Sequence, residues 1–208
     1  MMISTDASGI ESAVQAIKHG GIIAFPTDTY FALGADGLNS SAVESVFTTK
    51  GRNPGTPVPL LVHDSVMAES LCTEFPEPLR KLADHFWPGA LTIVLPASDV
   101  VPAVVTADTR TVGVRVPDHA IARNIIELAG VPITGTSCNL TGRDPEKEAI
   151  VVEQIFGDAI AGCVVGLCGD STAPSTVVSY VHGEIVLLRT GAIDAESIQN
   201  IAGDIVAR

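Results

Sequence analysis

Thr176-Val177-Val178-Ser179-Tyr180-Val181-His182-Gly183-Glu184-Ile185-Val186-Leu187-Leu188-Arg189 decides the fold class. Two runs rich in β-branched and aliphatic residues flank His182-Gly183, and a two-residue link between such runs reads as a hairpin. Part of the sheet is therefore antiparallel. Upstream the pattern changes: short apolar runs alternate with helical periods, and that alternation calls for crossover connections. Together the two signals predict a single-domain α/β protein over residues 1–208, a mixed sheet with flanking helices.

Outward from the hairpin, residues 163–167 read as a strand and 146–156 as a helix. Residues 133–137 form another strand, after a helix capped by Asp118 that carries Ile121, Ile125 and Leu128. Strands are also expected at 111–116, 91–95, 58–62 and 22–25. Leu79, Leu82, Ala83 and Phe86 mark a helix stopped by Trp87-Pro88-Gly89. Ser8-x-x-Glu11 and Ser41-x-x-Glu44 read as capping boxes opening helices that end at Gly20-Gly21 and near Lys50-Gly51. After the hairpin, Asp194 opens a C-terminal helix, 194–206, presenting Ile198, Ile201 and Ile205.

Composition narrows the classes. The hydrophobic fraction is 46% and charged residues are 17%, so a sizeable core can form and disorder is excluded. Apolar runs are far shorter than a bilayer span, and the first residues lack the basic-then-apolar order of a secretory leader, so a cytoplasmic protein is expected. Twelve Lys plus Arg against 24 Asp plus Glu leave a net charge of −12, which repels phosphate backbones and disfavours bulk nucleic-acid binding. Cys72, Cys138, Cys163 and Cys168 form no C-x-x-C pair and read as reduced core or loop residues.

The P-loop and dinucleotide glycine signatures are absent, as is H-E-x-x-H. Gly135-Thr136-Ser137-Cys138-Asn139 begins like a nucleophile elbow, but Asn139 stands where the last glycine belongs. Polar groups at strand ends carry more. Pro26-Thr27-Asp28-Thr29, Ser137-Cys138-Asn139 and Pro174-Ser175-Thr176 each read as an ordinary loop alone; three of them suggest a shared cleft. In Thr111-Val112-Gly113-Val114-Arg115-Val116 the valines share one face, leaving Thr111, Gly113 and Arg115 on the other. Small groups around one arginine suit a carboxylate or phosphate, although an edge-strand arginine in water would leave the same pattern. Lys50 and Arg52 at a helix exit, and Arg189 at a strand end, repeat the theme. Four of twelve cations at cleft-edge positions in an acidic chain suit a small polyanion such as a nucleoside triphosphate.

Read in order, these segments resemble the YrdC-like family of threonylcarbamoyl-AMP synthases. They are Pro26-Thr27-Asp28-Thr29-Tyr30-Phe31-Ala32-Leu33, Lys50-Gly51-Arg52, Ser137-Cys138-Asn139, Ser175-Thr176-Val177-Val178 and Arg189-Thr190-Gly191, with Trp87-Pro88-Gly89 and Val114-Arg115-Val116-Pro117 between. The resemblance covers about residues 10–193. It implies a twisted α/β sheet with a large concave cavity (the YrdC-like fold), and a nucleotidyltransferase that joins L-threonine, bicarbonate and ATP into L-threonylcarbamoyl-adenylate with release of pyrophosphate. The product would pass to the tRNA threonylcarbamoyl-transferase machinery for N6-modification of adenosine 37. By the same resemblance Lys50 and Arg52 are catalytic, and Lys50, Arg52, Thr111, Ser137, Asn139 and Arg189 bind ATP. Thr29, Arg115 and Ser175 hold threonine. Mg2+ is expected with the ATP, its protein ligands unspecified. Phe31, Ala32, Thr56 and Leu61 depart from the family pattern, and the first two lean toward a YciO-like paralogue; an RNA-binding module is the remaining alternative, which the charge disfavours.

Overall fold

In the computed structural model, which describes residues 1–207, the hairpin forms as the sequence dictates. His182 and Gly183 both take positive φ, 53° and 88°, matching the turn to the twist of its strands. The strands do not make one sheet, however. Two mixed sheets share the chain.

The smaller sheet has the order β1 (Met2–Ile3), β9 (Gly162–Val164), β2 (Ile23–Phe25), β3 (Ala32–Gly34) and β8 (Thr136–Ser137). Both its faces are covered, which is why its strands read as unbroken apolar runs. Ile23 and Phe25 pack against Ile10, Val14 and Ile17 of α1 (Ala7–Lys18) and Ile125 and Ile126 of α6 (Ala120–Ala129). Ala24 and Leu33 face the other way, onto Val46 of α2 (Ser40–Lys50) and Val152 and Phe156 of α7 (Ala149–Phe156).

The larger sheet runs β12 (Ile205–Ala207), β11 (Glu184–Arg189), β10 (Thr176–Val181), β5 (Leu91–Pro96), β6 (Thr111–Arg115), β4 (Leu60–Leu61) and β7 (Ile133–Thr134). Here the period-2 rule holds. Leu91, Ile93, Leu95, Val112, Val114 and Val178 are buried against Leu79 and Leu82 of α4 (Glu77–Phe86) and Ile198 of α8 (Ala195–Ala202). Each such side chain contributes about 1.5–3 kcal/mol by leaving water. The opposite face, with Thr92, Val94, Thr111, Gly113 and Arg115, forms the floor of a cavity.

The sheets meet at the segment 133–137, expected as one strand. Thr134 serves the larger sheet, yet its backbone N–H bonds Ala35 O at 2.9 Å and its hydroxyl donates to Leu33 O at 2.9 Å. Gly135 then turns the chain, and Thr136 and Ser137 pair with β3 of the smaller sheet. A Cβ at Gly135 would stand 2.8 Å from Leu61 Cγ, so the pivot needs glycine.

Several expected boundaries move. The C-terminal helix 194–206 is α8 only; after Gly203 at φ 84° the chain reverses to β12, so Ile205 is a strand residue parallel to β11, not part of a helical face. Asp6, not Ser8, caps α1, accepting from Gly9 N at 2.8 Å, and Asn39, not Ser41, caps α2 through Ala42 N at 3.2 Å. Serine, aspartate and asparagine are comparable caps, so a Ser-x-x-Glu spacing alone does not say which of two neighbouring polar residues starts the helix. His119, rather than Asp118, precedes α6 and makes no side-chain cap. The helix expected at 146–156 starts at Ala149, the strand 163–167 ends at Val164, and 58–62 pairs only at Leu60–Leu61. α3 (Ser65–Ser70), α5 (Ala103–Thr106) and strand β3 carry too few periods to read. Among the described residues no helix is long and apolar enough to cross a membrane. The four cysteines are free, with Cys138 and Cys163 buried.

Candidate active site

The cavity holds about 480 Å³ between the two sheets. Its wall carries Arg52, Arg115 and Arg189 and, among the described residues, no Asp, Glu or His. In a chain of net charge −12 that is a local inversion of sign. Low-dielectric walls around such a cluster focus its potential on whatever enters.

Each arginine is delivered by a specific piece of local structure. Helix α2 ends at Gly51, in the left-handed conformation at φ 59°, which accepts glycine without strain. The reversal sends Arg52 back over Phe47, 5.9 Å from its ring centroid, where its guanidinium donates to Thr136 Oγ1 at 3.1 Å and Pro57 O at 2.7 Å. Its Nε is buried with no protein partner. Arg115 stands on the open face of β6; Nε donates to Gly89 O at 2.9 Å and Nη1 to Thr29 Oγ1 at 3.3 Å. Arg189, at the end of β11, donates to Ser175 O at 2.8 and 3.1 Å and to Ser175 Oγ at 3.0 Å. Burial lowers the proton affinity of Arg52 and Arg189, and Arg115 adds repulsion at Arg189. Arg115 and Arg189 repel one another across the wall, a cost an anion between them would relieve.

Hydroxyls fill the wall between them. Thr92 Oγ1 and Ser175 Oγ lie 2.8 Å apart, Thr109 Oγ1 and Thr111 Oγ1 2.9 Å, and Thr27 Oγ1 and Thr29 Oγ1 3.1 Å. Of the sequence-predicted residues, Thr29, Arg52, Thr111, Arg115, Ser137, Ser175 and Arg189 reach the wall.

Lys50 and Asn139 do not. The Lys50 ammonium, 3% exposed, sits behind the wall and donates to Ser137 O and to Asn139 Oδ1, the latter at 3.1 Å. Burial brings its pKa down from 10.5 to about 8, against an opposing pull from Cys138 and with a smaller push from Arg52. Asn139 Oδ1 also accepts from Ser137 Oγ at 2.6 Å, and its amide donates to Leu140 O and Arg143 O. Both residues brace the Ser137 turn, and Asn139 faces a separate, smaller hollow with Arg143 and Glu146.

Sequence reasoning missed Thr92 and Thr109, and it placed Thr27 and Asp28 in a cleft-forming segment without giving either a role. Thr92 alternates with Leu91 and Ile93, a legible signal once the open face of the sheet is known. Asp28 lies against Arg115, its Oδ1 2.5 Å from Nη2. Phe31, Ala32, Thr56 and Leu61, the four departures from the family pattern, all fall on the cavity wall.

The chain is similar to known proteins over most of its length. The Sua5_yciO_yrdC family model, described as telomere recombination, matches residues 15–191. A threonylcarbamoyl-AMP synthase from Pyrococcus abyssi is 38% identical over 94% of this chain and 58% of its own length. The crystal structure of P. abyssi Sua5 complexed with L-threonine superposes with a TM-score of 0.96 at 36% identity, covering 100% of this chain and 62% of that one. E. coli YciO follows at 0.83 and 25%, covering 95% and 98%. The chain thus spans about three-fifths of the synthase it matches. A family match that begins inside α1, runs past the end of β11 and contains every residue of the cavity wall makes this chain a member of the Sua5/YciO/YrdC family.

Proposed function

We propose that the chain is a nucleotidyltransferase that makes L-threonylcarbamoyl-adenylate from L-threonine, bicarbonate and ATP and releases pyrophosphate. The adenylate would serve N6-threonylcarbamoylation of adenosine 37 in tRNA, in the cytoplasm. One observation carries the reading: an acidic chain builds a cavity whose charged wall is three arginines set among hydroxyls. The names of the relatives and the threonine in the P. abyssi complex support it.

The amine of threonine captures the carbon of bicarbonate with loss of water, giving a carbamate. A carbamate oxygen then bonds the α-phosphorus, and the bond to the β-phosphate oxygen breaks, its electron pair leaving with pyrophosphate. Covalent help from the protein is unnecessary; positioning and fixed positive charge suffice. Arg115 pairs the threonine carboxylate, with Thr29 and Ser175 beside it. Arg52 and Arg189 face the phosphates, and Thr111 and Ser137 offer hydroxyls to the nucleotide. Lys50 and Asn139 serve the nucleotide by fixing Ser137.

Mg2+ fits this cavity in one way only. Among the described residues no cluster of His, Cys, Asp or Glu could hold an ion, and the wall carries hydroxyls but no carboxylate. The ion would arrive on ATP, bound by phosphate oxygens and water, and would add Lewis-acid polarisation of those phosphates.

The test is pyrophosphate release from ATP and bicarbonate with and without L-threonine. Threonine-dependent release is expected. Release indifferent to threonine would favour the YciO-like paralogue, and none at all would overturn the reading.

A further inference from the structure

Asp28 pairs with Arg115, and it is not on the cavity wall. It sits behind Arg115, with side-chain exposures of 14% and 8% for acid and guanidinium. Asp28 Oδ1 and Arg115 Nη2 approach to 2.5 Å, and both atoms are shielded from water. The contact is therefore a buried charge pair that holds Nη2 from behind. On the cavity side the same guanidinium is pinned through Nη1 to Thr29 Oγ1, and along its stem through Nε to Gly89 O.

The position of Asp28 is itself enforced. Gly169 N donates to Thr27 O at 3.0 Å, and a Cβ on Gly169 would stand 2.4 Å from Asp28 O and 2.9 Å from Asp28 Cα. Lys147 clamps the same loop, donating to Gly169 O at 2.9 Å and Ser171 O at 2.5 Å. Backbone packed that closely cannot let the carboxylate drift.

We infer that Asp28 is a positioning residue for the substrate carboxylate, acting through Arg115. It anchors Nη2 from behind and so fixes the orientation in which Arg115 lines the cavity. Without that counter-charge a buried guanidinium turns toward water and loses its fixed geometry. The inference rests on the proposed amino-acid site and names what keeps that site in shape.

The experiment is calorimetric titration of L-threonine and of a panel of other L-amino acids, with ATP titrated separately. Five proteins are compared: wild type, Asp28→Asn, Asp28→Glu, Arg115→Met, and the double variant Asp28→Asn/Arg115→Met, in which two neutral near-isosteres replace the pair. Asp28→Asn should weaken amino-acid binding at least tenfold while ATP binding changes less than twofold. In the Arg115→Met background, Asp28→Asn should add nothing, and Asp28→Glu in the wild-type background should restore part of the loss. Unchanged amino-acid affinity in Asp28→Asn, an equal loss for ATP, or the same loss in both backgrounds would overturn the inference. If Asp28→Asn does not fold, the comparison of Arg115→Met with the double variant decides: a further loss of amino-acid binding there overturns it, and equal binding supports it. Wild type that binds another amino acid but not threonine would sink the proposed substrate while leaving Asp28 tested on that ligand; wild type that binds none would sink both.

Discussion

Charge at single side chains sets what this cavity can hold. Arg52→Ala should cut turnover at least about tenfold, the scale of one lost charged contact, measured as steady-state pyrophosphate release. Arg115→Ala should instead raise the threonine KM most, with a smaller change in the KM for ATP; an unaffected threonine KM would reassign the residue. Lys50 behaves differently because its ammonium is buried behind Ser137. Its folded pKa of about 8 lies below the ordinary 10.5, so between those values the unfolded chain binds more protons than the folded one. Stability contributed at this site therefore rises with pH across that window, and the cost of burying the ammonium is fully present below it. Relative to Lys50→Met, the wild type should gain about 2 kcal/mol between pH 8 and 10 in urea unfolding. Burial pushes up the thiols of Cys138 and Cys163, which act in the opposite direction; Cys163 cancels between the two proteins, and Cys138, which Lys50 itself pulls down, is removed by making the comparison in a Cys138→Ala background.

At the level of elements, local strain and caps aim the hydroxyls. The turn between α5 and β6 holds Ala107, Asp108 and Arg110 at φ 47°, 61° and 58°, left-handed conformations that cost a non-glycine residue about 1–2 kcal/mol each. That turn presents Thr109 and Thr111 to the cavity. Ala107→Gly should raise stability by about 1 kcal/mol in chemical denaturation and raise the KM for ATP, because the relaxed turn no longer fixes the two hydroxyls. Stabilisation with an unchanged KM would detach the strain from function. The same scale shows what the sequence could reveal. The alternation in 111–116 gave both faces of β6 correctly, because a half-open strand must alternate. The α2 exit gave Lys50 and Arg52, but not that a glycine reversal would bury one and leave the other on the wall.

For the whole molecule, an acidic exterior and a basic hollow oppose each other. ATP binding should weaken several-fold from 50 to 300 mM salt, since the attraction is electrostatic, yet bulk RNA should not be retained on a filter at physiological salt. Retention of RNA there would revive the binding-module alternative.

The sequence by itself determined the alternation of strands and helices, the hairpin, the apolar faces and the residue types that gather at strand ends. These follow from periods of 2 and 3.6 and from turn chemistry, all of which act over a few neighbours. Tertiary structure alone decided that there are two sheets, because the break at Gly135 depends on Leu61 crowding it from 74 positions away in the chain. It also decided that Asp28 backs Arg115 and that Lys50 braces Ser137. Those pairings join residues 87 apart, and no local period encodes a contact between them.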